Sequence, residues 1–391
     1  MQKKIIILLT ISLLMNISCF ACSMFKLTLD GKTIVGNNED YYNPMTNMWV
    51  IPSSRNQYGA IFFGFDDYFA QGGVNEKGLV FDGFAIFPGM EVLNTEGKEK
   101  ISSEKFMEKL MAECATVDEV EAFVKKYNLY FLKDAQLMFV DKAGNSIILE
   151  GDEIIKSDKN YQISTNFYQS QIQNPNQITC DRYLAGDAIL RGEQSFSKDY
   201  AKSVLKAMHQ KGFWGGTQYS NIYDLHNGMI YLYFYHNFEE EVSINIQETI
   251  KKGKYKTDIS ALFKPHKEYE QFKINYQSCK TAIEKLSKSR KTTEIKPLLN
   301  HLLDNQVTLV YGQQLAEMGD KFLKNKESEQ AVLIFKFCTV IFPQSWQFHT
   351  KLSQAYYQNH QKTEALASLQ KAIELAPENE QLKQMLKQLE E

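Results

Sequence analysis

Short segments in which apolar and polar residues alternate dominate residues 22 to about 250, and residues typical of tight turns separate them. In the stretch FKLTLDGKTIVG, Asp30-Gly31 divides two such segments, and this dipeptide is typical of a two-residue β-hairpin turn. The same pattern predicts turns at Asn75–Gly78, around Lys142 and Gly144, and at His226–Gly228. This part of the chain is therefore expected to form antiparallel sheets.

Two pairs of helices are predicted to interrupt these strands. They are expected at Glu104–Cys114, Val117–Tyr127, Thr179–Arg191 and Lys198–His209. Thr116 and Glu119 have the spacing of a capping box at the start of the second helix. Antiparallel hairpins with helices inserted in pairs predict an α+β fold of two stacked sheets, each covered on its outer face by helices. The runs AIFFGF and MIYLYFY suggest that both inner sheet faces are apolar.

The C-terminal part of the chain repeats itself with a period of 34 residues, which is the period of tetratricopeptide repeats. The matching positions are Met318 and Leu352, Phe322 and Tyr356, Ala331 and Ala365, Phe335 and Leu369, and Pro343 and Pro377. We predict an all-α tail over residues 311–391, with Gln381–Leu389 as a capping helix. Such a tail either docks a protein or peptide partner or only stabilises the chain.

Residues 251–310 are predicted to form a helical connector between the two parts. Helical periodicity is clearest at Tyr269–Leu286, and the mixed charge of the segment is typical of solvated surface.

The first 21 residues have the features of a signal peptide. Lys3 and Lys4 precede an apolar run, Ile5–Met15, which is shorter than the roughly 20 residues that a membrane-spanning helix needs. Cys19-Phe20-Ala21 then places small residues where a signal peptidase would cleave. We expect an exported, periplasmic or secreted protein that begins at Cys22. Acylation of the cysteine, as in a lipoprotein, is the alternative.

An N-terminal Cys22 would carry both a thiol and a free α-amine, whose pKa is ordinarily about 7.7 to 8.0. Such an amine can act as the base for its own side chain, so a separate histidine is not needed. A Cys-His pair using His209, His226 or His236 is the less favoured mechanism, because nothing around Cys22 resembles the internal helix that carries the cysteine in papain-like enzymes.

Composition excludes several classes of protein. A hydrophobic content of 43% with 13% aromatic residues is ample for packed cores. The formal net charge of −3 argues against nucleic acid as the main partner. The five cysteines that remain after cleavage before Cys22 show no CxxC spacing, so we expect no metal site, and the chemistry proposed for Cys22 requires no cofactor.

Several motifs in order resemble one known family. CSMFKLTLDGKTIVGNNEDYY is followed by GGVNEKGLVFDGF, ISTNFY, TCDRYL and TQYSNIYD. Over about Cys22–Glu240 the chain resembles the N-terminal nucleophile (Ntn) hydrolases, in the branch of choloylglycine hydrolase, penicillin V acylase and acyl-coenzyme A:6-aminopenicillanic acid acyltransferase. The resemblance implies a four-layer αββα sandwich over residues 22–250. It also implies hydrolysis of a linear, non-peptide C-N amide bond through an acyl-enzyme.

The resemblance also implies roles for individual residues. Cys22 would be the nucleophile, and Asp40 would accept a hydrogen bond near its amine and thiol. Asn166 would donate its side-chain NH₂ to the oxyanion, which for one such donor is worth about 10²- to 10³-fold in rate. Arg182 would lie near the thiol and favour the thiolate.

The resemblance also gives three further positions a supporting role. Asn75 lies in the family's Asn-Glu-x-Gly-Leu turn, which we interpret mainly as structural. Ala85 follows on the next strand, where a backbone N–H would supply the second oxyanion donor and where relatives often have asparagine. Asn37 stands where many relatives have the arginine of a Gly-Arg-Asn-x-Asp pattern. The last two differences leave the substrate open.

The expected substrate is a small N-acyl amide, for example an N-acyl amino acid, an acyl homoserine lactone, a conjugated bile salt or a phenoxyacetyl β-lactam. Aromatic residues near the expected site suit an apolar acyl group. They are Tyr41, Tyr42, Phe65, Tyr68, Phe69, Phe84 and Phe87. Two alternatives stay open: an acyltransferase with the same nucleophile, and a non-catalytic exported lipoprotein that binds a partner through its helical tail.

Overall fold

The computed structural model describes residues 22–86, 89–212, 215–303 and 311–390. The predicted signal peptide, Phe87 and the last residues of the predicted connector, 304–310, lie outside the described residues. The chain forms two compact units. The first contains residues 22–41, 46–86, 89–211 and 215–263, and the second contains residues 42–45, 212, 264–303 and 311–390.

The strands and helices follow one another along the chain with these bounds. The strands are β1 (Ser23–Leu29), β2 (Lys32–Tyr41), β3 (Thr46–Ile51), β4 (Ala60–Phe65), β5 (Ala70–Asn75), β6 (Val80–Ala85), β7 (Glu99–Lys100), β8 (Tyr127–Asn128), β9 (Ala135–Val140), β10 (Ser146–Glu150), β11 (Glu153–Ser157), β12 (Tyr161–Ser164), β13 (Lys211–Gly212), β14 (Gly215–Asp224), β15 (Met229–Phe234), β16 (Asn237–Asn245) and β17 (Tyr255–Asp258). The helices are α1 (Ser103–Glu113), α2 (Val117–Val124), α3 (Asp181–Leu190), α4 (Lys198–Met208), α5 (Ile246–Lys251), α6 (Lys267–Lys288), α7 (Thr292–Leu303), α8 (Gly312–Lys324), α9 (Ser328–Ile341), α10 (Trp346–Gln358), α11 (Lys362–Leu375) and α12 (Glu380–Glu390).

Two antiparallel sheets form the centre of the first unit. One has the strand order β12-β1-β2-β14-β15-β16, with β13 beside β14. The other has the order β11-β10-β9-β6-β5-β4-β3-β17. The sheets face each other, because Asn37 of β2 donates a hydrogen bond to Asp82 of β6. The Phe63 ring of β4 also lies 6.0 Å from the Tyr219 ring of β14, measured between centroids.

Helices cover the outer face of each sheet. Apolar residues of α3 and α4, such as Leu190, Val204 and Leu205, pack against Phe25 and Ile222 of the first sheet. In the same way α1 and α2 pack on the second sheet through a cluster that includes Phe62, Phe81, Phe106, Val120 and Phe139. The four-layer α+β sandwich expected from the sequence is confirmed.

The Asp30-Gly31 hairpin and the start of α2 are also confirmed in their particulars, but α2 ends at Val124 and the predicted helix end Tyr127 lies in β8. Asp30 and Gly31 both have positive φ, 49° and 71°, as a type I′ turn requires. The capping box is formed, since the Thr116 side chain accepts from the backbone N–H of Glu119 and the Glu119 side chain accepts from the backbone N–H of Thr116. Local turn and cap chemistry therefore sets the element boundaries.

The expectation that both inner sheet faces are apolar is wrong around β2 and β14. Asn37, Asp82 and Asn221 are buried there, and Tyr219 and Tyr223 carry hydroxyl groups into the same layer. Side chains of a strand alternate between its faces, so half of each apolar run points outward. Phe62 of the AIFFGF run accordingly packs against α1 and α2. The layer between the sheets is therefore polar around Asn37, Asp82 and Asn221, and buried apolar side chains such as Phe63 also lie in it.

The second unit is helical, as the sequence predicts for the C-terminal region. Residues of α6, α7, α8, α9 and α10 share one hydrophobic cluster. The pair α8–α9 and the pair α10–α11 have corresponding bounds, since α8 begins at Gly312 and α10 at Trp346, 34 residues later. Ala331 and Ala365, one in each pair, are both fully buried. The structure thus repeats with the predicted period, and the assignment of the pairs as tetratricopeptide repeats stays a prediction.

Asn75 is a buried polar residue whose hydrogen bonds explain its position. Its side-chain NH₂ donates to the carbonyls of Met111 and Cys114 at the end of α1, at 2.9 and 2.7 Å. Its side-chain oxygen accepts from the backbone N–H groups of Lys77 and Leu79 at 3.1 and 3.0 Å. Asn75 therefore closes the β5–β6 turn and ties it to α1.

We predict that Asn75→Ala lowers the free energy of unfolding by about 3 kcal/mol or more, since it leaves several buried backbone groups without a partner. Asn56→Ala, at an exposed turn position, is the control and should change stability by less than about 0.5 kcal/mol. Urea denaturation of both variants measures this. Equal midpoints for the two variants would contradict the structural role of Asn75.

Candidate active site

Cys22 lies directly before β1, in a central part of the first sheet, with β2 on one side and β12 on the other. It is 7% exposed. Its Sγ donates a hydrogen bond of 3.0 Å to Oε1 of Glu39, and its backbone carbonyl accepts one of 2.7 Å from Nη1 of Arg182. The thiol and the backbone of Cys22 are therefore held by two different charged side chains.

Arg182 brings the predicted catalytic residues together. It lies in the first turn of α3, and its side chain is 11% exposed. Besides the Cys22 carbonyl, its guanidinium contacts Oδ1 of Asn166 at 3.3 to 3.4 Å and lies 3.9 Å from Oδ2 of Asp40. The structure thus places Cys22, Asp40 and Asn166 around one guanidinium group. The predicted contact between Arg182 and this group of residues is present, through the carbonyl of Cys22.

Asp40 lies on β2, one residue after Glu39, so their side chains point to opposite faces of the sheet. Its carboxylate accepts a hydrogen bond from the Thr217 hydroxyl of β14. Burial raises the pKa of Asp40 to about 7, while the charge of Arg182 and the Thr217 hydrogen bond act in the opposite direction. Asp40 is therefore the carboxyl group of the site that has a positively charged neighbour.

Asn166 follows β12 in a loop that is fixed from several sides. Its side-chain Nδ2 donates to the carbonyl of Ala85, at the end of β6, at 2.7 Å. The Phe167 ring packs edge-on against the Tyr183 ring, with centroids 5.4 Å apart, and this contact joins the loop to α3 next to Arg182. Ala85 is exposed, and its carbonyl orients the Asn166 amide.

Glu150 is a further residue that holds this loop. It is fully buried on β10 and accepts hydrogen bonds from the backbone N–H groups of Gln169 and Ser170, at 2.7 and 2.9 Å, and from Gln136. Each of its carboxylate oxygens therefore has a donor. Glu150 positions Asn166 through the backbone that follows it.

The layer between the sheets behind Cys22 is rich in carboxyl groups. Asn37, which stands in place of the family's arginine, donates to Asp82 at 3.3 Å. Burial raises the pKa of Asp82 well above its ordinary value, and the neighbouring Glu39 raises it further. Burial also raises the pKa of Glu39, to about 8, although the hydrogen bond from Cys22 acts to lower it. Asn37 adds no positive charge to this layer, so the protonated, neutral forms of these carboxyl groups are favoured.

The same environment keeps the nucleophile protonated. Burial raises the pKa of the Cys22 thiol well above its usual range, and the neighbouring carboxyl groups of Glu39, Asp82 and Asp40 raise it further. The resemblance implied an arginine that favours the thiolate. Here Arg182 donates a hydrogen bond to the Cys22 carbonyl, and the thiol donates one to the carboxyl group of Glu39.

Four residues of this site were not found from the sequence: Glu39, Asp82, Glu150 and Thr217. Glu39 could have been found, because the two-residue turn at Asp30-Gly31 sets the pairing of β1 with β2. Counting outward from that turn, Ser23 pairs with Asn38, which puts Cys22 opposite Glu39. The other three depend on contacts between distant segments, and no local signal marks them.

Of the aromatic residues expected near the site, Phe65 and Phe84 are buried and Tyr68 is 37% exposed. The Tyr41 and Phe65 rings pack with centroids 4.6 Å apart. Asn75, which is also expected to support the site, forms its side-chain hydrogen bonds with the β5–β6 turn and with α1.

Within the described ranges, no group of three or more His, Cys, Asp or Glu side chains has a geometry that could hold a metal ion. In the same residues, none of the helices combines the length and apolar character needed to cross a membrane. The cysteines described by the structure, Cys22, Cys114, Cys180, Cys279 and Cys338, are all free thiols.

Asp82 provides a test of the neutral layer. The unfolded chain releases the Asp82 proton above about pH 4, whereas the folded protein keeps it, so stability should fall by up to about 1.4 kcal/mol per pH unit above that point. We predict that Asp82→Asn makes this decline between pH 5 and pH 8 shallower, as measured by urea denaturation at each pH. Asp30→Asn is the matched control at an exposed turn position that accepts either residue. Parallel pH curves for wild type and Asp82→Asn would contradict a neutral Asp82.

Comparisons with known proteins concern mainly the first unit. Residues 25–183 match the family model described as linear amide C-N hydrolases, choloylglycine hydrolase family. No curated protein sequence matches the chain.

Three solved structures are similar to parts of the chain. A conjugated bile acid hydrolase from Clostridium perfringens is 18% identical, with a TM-score of 0.49, over 63% of this chain and 97% of that one. A penicillin V acylase from Agrobacterium tumefaciens is 14% identical, with a TM-score of 0.48, over 61% of this chain and 91% of that one. The Arabidopsis OM64 TPR domain is 18% identical, with a TM-score of 0.21, over 29% of this chain and 96% of that one.

The family match runs from β1 into the first turn of α3 and includes Asp40, Asn166 and Arg182. Cys22 lies three residues before it, at the start of the same strand. Residues 25–183 are therefore similar to the choloylglycine hydrolase family of linear amide C-N hydrolases, and the chain is a hydrolase acting on amide bonds.

Proposed function

We propose that this protein is an exported cysteine hydrolase that cleaves a small N-acyl amide through an acyl-enzyme on Cys22. The observation that carries the proposal is the position of Arg182, whose guanidinium contacts the Cys22 carbonyl and the Asn166 side chain and lies beside Asp40. Residues separated by up to 160 positions in the sequence converge on the start of β1. The family match supports amide hydrolysis by the same segment.

The proposed maturation step is removal of residues 1–21. A positive start, an apolar run and small residues before Cys22 support it. Cleavage at this point would leave Cys22 as the first residue of a periplasmic or secreted protein, with a free α-amine. The α-amine is the base that the sequence predicts.

In the proposed reaction, Sγ of Cys22 attacks the amide carbonyl carbon, and the thiol proton passes to a base. The resulting tetrahedral oxyanion is stabilised by hydrogen-bond donors. Asn166 has two N–H groups on Nδ2, and the one not donated to Ala85 is the proposed donor. The C-N bond then breaks as the leaving nitrogen takes up a proton. Water finally hydrolyses the thioester, which releases the acid and regenerates the thiol.

The proposed substrate is a small-molecule N-acyl amide. Asn37 in place of a motif arginine and Ala85 in place of asparagine are the departures from the family pattern that leave the acyl group and the amine open. The helical unit is proposed to bind a protein or peptide partner; its regularly repeated helix pairs support that proposal.

Replacing the nucleophile is the direct test. We predict that Cys22→Ser lowers hydrolysis of N-acyl amides by about 10³-fold or more, because the thiol forms the acyl-enzyme. Cys180→Ser makes the same change in a cysteine that precedes α3 and should retain activity. The measurements are release of the free amine from a panel of acyl amides and the intact mass of protein purified from an exporting host.

The mass should correspond to a chain that begins at Cys22 and should increase by one acyl group when a slow substrate is added. A lipid-modified cysteine, or a start at another residue, would contradict the proposed mechanism. Equal activity of Cys22→Ser and wild type would contradict Cys22 as the nucleophile.

A further inference from the structure

Two buried polar side chains, Gln136 and Glu150, adjoin the loop that carries Asn166. They lie on the neighbouring strands β9 and β10, directly opposite each other in the antiparallel pairing, and both are fully buried. The side-chain NH₂ of Gln136 donates a hydrogen bond to Oε1 of Glu150. Buried polar groups are costly unless their hydrogen bonds are made, so the remaining partners of this pair indicate its role.

Glu150 holds the backbone that follows Asn166. Its Oε1 accepts a hydrogen bond of 2.7 Å from the backbone N–H of Gln169, and its Oε2 accepts one of 2.9 Å from that of Ser170. The two oxygens of one carboxylate thus bind two successive backbone N–H groups. This arrangement fixes both the position and the direction of the chain at the end of the loop.

Gln136 holds the chain on the other side of Asn166 and joins the two sheets. Its Oε1 accepts a hydrogen bond of 2.5 Å from the hydroxyl of Ser164, the last residue of β12. Its Nε2 also donates to the carbonyl of Phe167 at 3.3 Å. Since β12 belongs to the first sheet and β9 to the second, one amide group links both sheets where the chain enters the loop.

Each group of the pair has partners of the opposite hydrogen-bonding character. The Glu150 carboxylate, which can only accept, is surrounded by N–H donors. The NH₂ of Gln136 donates to two oxygen atoms, and its oxygen accepts from a hydroxyl group. Exchanging a carboxylate for an amide at position 150 would therefore place an NH₂ group against N–H donors, with almost no change in shape.

The side chain of Asn166 depends on this backbone. Its Nδ2 donates to the carbonyl of Ala85, and its Oδ1 accepts from the guanidinium of Arg182. Both contacts require the loop backbone to hold Asn166 between β6 and α3. A displacement of about 1 Å at a reacting group can lower a rate by about 10²-fold. The fixed loop is therefore a condition for a donor in the right place.

We propose that Gln136 and Glu150 act as one positioning unit that holds the side chain of Asn166 where it donates to the oxyanion. This inference rests on the proposed function, in which an N–H group of Asn166 is that donor. The two residues act through Asn166, so their effect on the reaction is to keep the donor in place as the negative charge develops on the substrate oxygen.

The test measures hydrolysis of the best substrate of the acyl amide panel by Glu150→Gln in the full chain. We expect kcat to fall by about 10- to 10²-fold. KM should change by less than about twofold, because an oxyanion donor acts on the transition state and not on the bound substrate.

Asp141→Asn is the matched control. Asp141 is also a buried carboxyl group that accepts from backbone N–H groups, those of Val117, Ala143 and Asn145. It lies at the turn of the β9–β10 hairpin, roughly 16 Å along the strand from Gln136. Asp141→Asn should therefore lower stability, measured by urea denaturation, and leave kcat within about twofold of wild type.

A double-mutant cycle with Asn166→Ala shows whether Glu150 acts through Asn166. Asn166→Ala alone should lower kcat by about 10²- to 10³-fold. Once this side chain is removed its position no longer matters, so adding Glu150→Gln should lower kcat by less than about twofold more. A residue that only supports the fold would lower kcat by the same factor in both backgrounds.

Alkylation of Cys22 by iodoacetamide gives a readout that does not involve an oxyanion, because this reagent reacts with the thiol without attack on a carbonyl carbon. Peptide mass mapping should show equal rates of alkylation in Glu150→Gln and wild type. A much slower rate in the variant would mean that the substitution disturbs the nucleophile, and it would count against the proposed role.

Should Glu150→Gln fail to fold, Ser164→Ala tests the same unit with a smaller change, since it removes only the hydroxyl that joins Gln136 to β12. We expect a smaller loss of kcat that disappears in the Asn166→Ala background. Undiminished kcat in Ser164→Ala would then count against the positioning unit.

Undiminished kcat in Glu150→Gln, an equal loss in Asp141→Asn, or a full additional loss in the Asn166→Ala background would overturn the inference. Cys22→Ser separates this failure from that of the proposed function. If Cys22→Ser is inactive and Glu150→Gln is fully active, only the present inference is wrong; if Cys22→Ser is active, the proposed function itself is wrong. Full activity of Asn166→Ala would refute the oxyanion donor and this inference with it.

Discussion

The pairing of β1 with β2 is the constraint on which the site depends. The two-residue turn at Asp30-Gly31 fixes the register in which β1 pairs with β2. A shift of either strand by one residue would move each of its side chains to the other face of the sheet. In this register Cys22 faces the layer between the sheets together with Glu39, while Asp40 faces α3. The nucleophile and its neighbours are therefore set by backbone hydrogen bonds some distance from the chemistry.

Electrostatics in the site follow from an uneven distribution of charge. Glu39, Asp40 and Asp82 are buried within one region, and Arg182 is the cation that contacts it. Arg182 lies on the Asp40 side and partly offsets the burial that raises the pKa of that carboxyl group to about 7, whereas burial raises the pKa of Asp82 well above its ordinary value. Burial raises the pKa of Glu39 to about 8, and this carboxyl group accepts a hydrogen bond from the thiol.

In the helical unit, the repeat seen in the sequence and the repeat seen in the structure agree closely. Small residues at equivalent positions of α9 and α11, Ala331 and Ala365, allow close helix packing, and the helices recur after 34 residues. Such regularity is a nearest-neighbour property, because each helix pair buries its apolar face against the next. A pattern of this kind can be recognised without knowledge of long-range contacts.

Taken alone, the sequence determined the features that depend on local chemistry. These are the hairpin turns, the capping box of α2, the αββα layers and the helical repeat, together with Cys22 as the candidate nucleophile. Only the tertiary structure decided which groups surround Cys22, because Arg182 contacts its carbonyl, Asn166 contacts Arg182, and Asp82 acts on its thiol, all from segments far along the chain. It also decided that the layer between the sheets is polar around β2 and β14. The side chains of the AIFFGF run alternate between two faces, so that Phe62 packs against the helices and Phe63 lies in the layer between the sheets.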